Sequence, residues 1–196
     1  VGSSVVTLDG ASVRTLFGGG MGNETTAALV GGKAQVTVSS GNVSAGVYGG
    51  CNTKGNVGET EVTLTGGTLG TASSGTPYET GYVPPVLAYV FGGGLGQNTK
   101  VLGDVTVEVG DATAGPTIWG DVYGGSAKGL VNCNEAGNDQ NGSAKTDVTF
   151  NNGTIYGDLY GGGLGQLTPV AYAANVWGPV TVTVTGGMVN EYYRYS

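Results

Sequence analysis

Histidine is absent from the 196 residues. That removes Ser-His-Asp and Cys-His catalytic arrangements and every histidine-bearing metal site. Cysteine is nearly absent: Cys51 and Cys133 fit neither a zinc spacing nor a CxxC redox motif. They form one disulfide if the segment around Cys133 folds back, and otherwise remain two thiols. Positive charge is scarce too, with 7 Lys and Arg against 14 acids, a net charge of −7, and no basic run. Phosphate recognition needs clustered Lys and Arg, so nucleic acid and anionic membrane surfaces are excluded as partners. No apolar run approaches the roughly 20 residues of a membrane-crossing helix, and no membrane insertion is expected. No stretch of eleven or more residues has the apolar spacing of a helix, which excludes helical repeats. With 6 prolines and no three-residue glycine period, collagen is excluded as well.

What the chain has in abundance is glycine, 41 residues, about three times the usual share. Hydrophobic content of 39% against 11% charge is too apolar for a disordered chain. The glycines recur in a motif, clearest as Thr154-Ile155-Tyr156-Gly157-Asp158-Leu159-Tyr160-Gly161-Gly162-Gly163. Thr117-Ile118-Trp119-Gly120-Asp121-Val122-Tyr123-Gly124-Gly125 repeats it almost verbatim. Worn copies end at Leu16-Phe17-Gly18, Val47-Tyr48-Gly49 and Val90-Phe91-Gly92. Between copies lies a short alternating segment: Val6-Thr7-Leu8, Val36-Thr37-Val38, Val62-Thr63-Leu64, Val105-Thr106-Val107, Val148-Thr149-Phe150 and Val182-Thr183-Val184. β-branched residues in alternation mark strands with one buried face.

The stretch between residues 36 and 62 is too short for a propeller blade of about 40 residues or more. An antiparallel sandwich would not hold one motif at one phase of every unit. The expectation is an all-β, single-domain parallel β-helix (a β-solenoid) over 1–196. Its rungs start near 6, 36, 62, 105, 148 and 182, with long loop insertions at 70–89 and 129–147. Equivalent positions would then stack about 4.8 Å apart. Val6, Val36, Val62, Val105, Val148 and Val182 form one inward column, and Val13, Val43, Leu69, Ile118, Ile155 and Val189 another. Val105–Val109 and Val180–Val184 leave a two-residue register choice open. Phe17, Tyr48, Phe91, Tyr123, Tyr160 and Tyr193 make an aromatic column beside Leu16, Val47, Val90, Val122, Leu159 and Tyr192. The aliphatics are expected inside and the rings along a corner; an external glycan-binding stripe is the alternative.

The alternation of that glycine motif with Val182-Thr183-Val184-Thr185-Gly186-Gly187 resembles the glycine-rich repeats of large bacterial surface proteins. More loosely, it is similar to autotransporter passenger repeats. The resemblance covers residues 5 to 193. It implies a right-handed β-helix exposed outside the cell, and an adhesin's role; handedness comes from the resemblance alone.

Chemistry is sparse. Gly92-Gly93-Gly94-Leu95-Gly96 lacks the Lys-Ser/Thr of a phosphate loop, so these glycines are turn formers. Only Arg14 and Arg194 represent arginine, at opposite ends. A polysaccharide-cleaving enzyme would need clustered acids with nearby bases, so no enzyme is expected. Asp121 and Asp158 share one position of successive motifs, which places like charges together: they are either solvated acids at a strand edge, or a pair that recruits a cation, contacts a sugar or acts as paired catalytic carboxylates. Trp119 and Tyr156 stack on the face opposite Ile118 and Ile155, either as a platform for sugar rings or as aromatics covered by a loop or a neighbouring molecule. Trp119, Tyr156, Asp121 and Asp158 are therefore the candidate ligand-binding residues. No cofactor is expected beyond an opportunistic Ca2+ among Asn132, Asn134, Asn138, Asp139 and Asn141. The chain begins at Val1-Gly2-Ser3-Ser4 and reads as a piece of a longer precursor. The functional expectation is a secreted or cell-surface structural or adhesive module with glycans or host-surface ligands as partners. The alternative is a subunit of a self-assembling extracellular filament or surface layer, associating end to end.

Overall fold

The computed structural model describes residues 2–77, 79–139 and 143–190. The Val-Thr-Val segments become strands because alternation gives each one an apolar face and a polar face. In chain order the strands are β1 (Ser4–Leu8), β2 (Ser12–Phe17), β3 (Ala28–Val38), β4 (Asn42–Tyr48), β5 (Asn52–Leu64) and β6 (Thr68–Leu69). Next come β7 (Tyr89–Phe91), β8 (Leu95–Val101), β9 (Val105–Val109), β10 (Thr117–Ile118), β11 (Val122–Tyr123) and β12 (Leu130–Val131). The last are β13 (Thr146–Phe150), β14 (Thr154–Ile155), β15 (Leu159–Tyr160), β16 (Val180–Val184) and β17 (Met188–Val189).

These strands assemble into two sheets. The first follows the order β1-β3-β5-β9-β13-β16, with β8 and β12 beside that path. The second runs β15-β11-β7-β4-β6-β10-β14-β17, with β2 against β4. The expected right-handed β-solenoid is not what the strands build. They form two stacked sheets of mixed order, and the strands do not repeat as one constant unit. The single strand β4 pairs β6 through Asn42 and Val43, and β7 through Gly46 to Tyr48. Later layers divide that length into β10 and β11, then β14 and β15. In the first sheet β5 likewise pairs both β8 and β9. The division comes from Gly120 and Gly157, and from the insertion between β6 and β7.

Every named strand pair is parallel, and the register decides which side chains meet. Val6, Val36, Val62, Val107, Val148 and Val182 are successive partners. Val107, not Val105, therefore completes the first column; Val105 sits opposite Thr60 and Thr146. The second sheet aligns Val13, Val43, Leu69, Ile118, Ile155 and Val189 as expected. The inward residues of both sheets meet in one apolar cluster running from Leu8 to Ile155.

The glycine clusters have a packing reason. Gly92 and Gly124 stand where the second sheet passes closest to the first. A Cβ on Gly124 would lie 2.7 Å from Val148 Cγ2 and 2.8 Å from Thr146 Cγ2, and one on Gly92 would lie 2.9 Å from Val107 Cγ2. Real Cβ atoms do not approach that closely. Glycine is what lets the two sheets meet.

Both insertions acquire structure. The first carries antiparallel bridges, Thr71 to Val86 and Ser74 to Val83. The second is not all loop, since β12 pairs β8 and buries Val131. Cys51 and Cys133 are both buried and form no disulfide with each other. Tyr192, Tyr193 and Arg194 lie outside the described residues.

The last strand differs from the rest. Val180, Val182 and Val184 keep the inward pattern but are 44%, 43% and 59% exposed, whereas Phe150 one strand earlier is fully buried. Truncating Phe150 to Ala should therefore cost about 3–5 kcal/mol, and truncating Val184 to Ala about 0.5 kcal/mol or less. Urea unfolding of the two variants measures the difference.

Candidate functional site

The outward face of the second sheet is built from residues flanking its inward column. Following Val13, Val43, Leu69, Ile118 and Ile155 come Arg14, Ser44, Gly70, Trp119 and Tyr156. Alternation turns these away from the core. The Trp119 N–H donates to Leu69 O at 2.8 Å, and the Tyr156 N–H to Ile118 O at 2.8 Å. Those ladder bonds set the two rings on neighbouring strands, where they stack at 3.9 Å with 10° between planes. Both rings are half-buried. The predicted aromatic pair is real.

Beside Trp119 the surface falls into a groove of about 570 Å³. Ser12, Arg14, Asn42, Ser44, Thr68 and Trp119 give it polar and aromatic walls, and Thr71 and Ala72 of the first insertion close one side. Gly70 makes the notch next to the indole. Its φ is +81°, and a Cβ there would collide with the Val86 carbonyl and lie 2.9 Å from Trp119 Cβ. A side chain is excluded on both counts.

Asp121 and Asp158 sit in neighbouring strands but do another job. Asp121 is buried; its Oδ2 accepts the Tyr123 hydroxyl at 2.9 Å and its Oδ1 accepts the Asp158 N–H at 3.0 Å. Half-buried Asp158 repeats the unit, its Oδ2 accepting the Tyr160 hydroxyl at 2.8 Å. The carboxylates thus anchor the aromatic column. Phe17, Tyr48, Phe91, Tyr123 and Tyr160 stack at 4.9, 5.1, 4.8 and 4.8 Å. That is the strand spacing of about 4.8 Å, so the backbone ladder dictates the ring stack. Tyr48, Phe91 and Tyr123 are buried, which rules out an external stripe along this column; Tyr193 lies outside the described residues. Burial first, then the Asp121 hydrogen bond and charge, push the Tyr123 phenol well above the usual tyrosine range. Burial, then Tyr89, raises Tyr48.

The oxygens considered for calcium are partly committed. Asn132 is buried, donating to Gly103 O and Lys145 O and accepting from the Thr146 hydroxyl. Asn134 Oδ1 accepts the Asn138 N–H. Asn141 lies outside the described residues. Among the described residues no three acidic or cysteine side chains gather around a common point.

Arg14 is the residue that sequence reasoning passed over, as an isolated cation. The available signal was its place one residue after Val13, the same phase that singled out Trp119. The groove itself was not legible, because it depends on the missing side chain at Gly70 and on the fold of the insertion.

No family model, curated protein or solved structure matches this chain. The resemblance to glycine-rich surface repeats therefore rests on the motif residues alone.

Raised tyrosine pKa values make alkaline stability a test of the stack. A group whose folded pKa exceeds its unfolded value stabilises fully below the unfolded pKa, about 10 for tyrosine. That contribution is lost as pH rises toward the folded value. Stability should fall above about pH 10, and Tyr123→Phe should flatten the fall by removing one such group. Urea midpoints between neutral and strongly alkaline pH measure both slopes.

Proposed function

We propose that this chain is a secreted or cell-surface adhesive module that binds glycans along the outer groove of the second sheet. One observation carries the reading: the Trp119–Tyr156 stack, with Trp119 forming a wall of the groove. Aromatic faces pack well against the C–H faces of sugar rings, while hydroxyl and amide groups such as Ser12, Asn42, Ser44 and Thr68 serve sugar hydroxyls. Concave sites with an apolar wall and a few placed polar groups are the usual form of a ligand site. The surface-repeat resemblance supports the extracellular setting.

Binding fits better than catalysis. The groove lining contains no acid, and glycoside hydrolysis commonly needs two carboxylates flanking the bond. Asp121 is buried and held by the Tyr123 hydroxyl. Asp121 and Asp158 accordingly act here by holding the scaffold behind the rings.

A glycan array should show binding that Trp119→Ala weakens by about tenfold or more, since an aromatic side chain contributes roughly 1.5–3 kcal/mol when buried. Tyr156→Ala should weaken it less, through loss of ring support. Absence of binding to any saccharide would end this reading.

End-to-end association of copies is the second reading, favoured by the exposed valines of β16. Among the described residues β16 pairs only β13, and β17 only β14. Unpaired parallel edges invite further strands. Sedimentation across a concentration series should show growth that Val182→Lys abolishes; a monomer at every concentration would count against it.

A further inference from the structure

We propose that the groove selects an acidic oligosaccharide, a chain of hexuronic acids, with a carboxylate held by Arg14 and a ring face laid against Trp119. This rests on the glycan-binding reading and names the ligand class. The groove lining carries one formal charge, and it is positive. It does so in a chain whose net charge is −7. Two of the lysines are ion-paired, Lys33 with Glu61 at 2.9 Å and Lys145 with Asp147 at 2.7 Å, while Lys54 and Lys100 donate to the backbone carbonyls of Glu24 and Glu135. Arg14 is exposed and makes no ion pair or hydrogen bond among the described residues. A guanidinium offers a planar fork that matches a carboxylate bidentately.

Spacing determines the length of the ligand. Val13, Val43, Leu69 and Ile118 are successive ladder partners, so Arg14 and Trp119 stand three strands apart. At about 4.8 Å per strand this is about 14 Å. One ring cannot touch both groups, and a short oligosaccharide can. In a chain of hexuronic acids every ring carries both a carboxylate and a C–H face, so both ends of the groove are served at once. Ser44 and Thr68, lying between them, face the ring hydroxyls. Long-range repulsion from the acidic protein opposes such a ligand, so affinity must come from the direct contact. That contact is weakened by salt, whose screening length is about 10 Å at 0.1 M.

The test is calorimetric titration of trigalacturonic acid and its fully methyl-esterified form, at low salt, into wild type, Arg14→Gln and Trp119→Ala. Melting curves would first establish that both variants fold. The acid should bind about tenfold or more tightly than the neutral ester, as expected for a charge-assisted pair. Arg14→Gln should remove that preference, bringing the acid down to the affinity of the ester in the same variant, and Trp119→Ala should weaken both ligands. Equal affinity for acid and ester, or an acid preference that survives in Arg14→Gln, overturns the assignment while leaving neutral glycan binding in place. Failure of both ligands to bind also overturns it, and the glycan array then decides whether saccharide binding falls too.

Discussion

In-register parallel pairing is the constraint on which everything else in this molecule depends. Each strand takes its position from backbone hydrogen bonds to the strand before it, and a shift of one residue would turn every inward side chain to the surface. Because the register holds from Val6 to Val182, chemically similar residues lie over one another at the strand spacing. Valine meets valine in the core, and tyrosine meets phenylalanine at the edge. The Asp121–Tyr123 bond is repeated one strand later by Asp158 and Tyr160. Repetition in sequence becomes a set of ladders in space, and the ladders carry most of the apolar burial.

Glycine makes the arrangement close. At Gly92 and Gly124 the second sheet runs directly against valine and threonine side chains of the first, leaving no room for a Cβ. The same residue type does a different job at Gly70, where an open notch sits beside Trp119. Core contact and surface groove therefore come from one chemical device, the removal of a side chain, used on opposite faces of the second sheet. The rigid ladder behind the groove matters for binding, because rings and polar groups fixed by packing lose little freedom when a ligand arrives.

The division of labour between the faces also sorts the acidic residues. Asp121 lies inside, supporting aromatic rings, and the groove on the outer face holds no acid at all. An arginine with no ion pair in such a groove offers an anion a direct partner. At the other extreme, the last strand repeats the inward valines with nothing described over them. The ladder keeps its alternating pattern there.

The Val-Thr-Val strands, their parallel ladders and the stacking of Trp119 on Tyr156 were legible in the residue order, whereas β8 and β12 fell in stretches read as linker and insertion. The former follow from local alternation and from motifs that recur in phase, properties a chain carries before it folds. The register of Val107 was not legible, because Val105-Thr106-Val107-Glu108-Val109 satisfies two alignments equally and only contact with β5 and β13 chooses between them. Nor was the assembly into two stacked sheets of mixed strand order instead of a uniform solenoid, since that depends on where glycine divides a strand and where an insertion enters. The burial of Asp121 and the groove between Arg14 and Trp119 belong to the same class. Each is a relation between segments far apart in sequence, decided only when the sheets close upon one another.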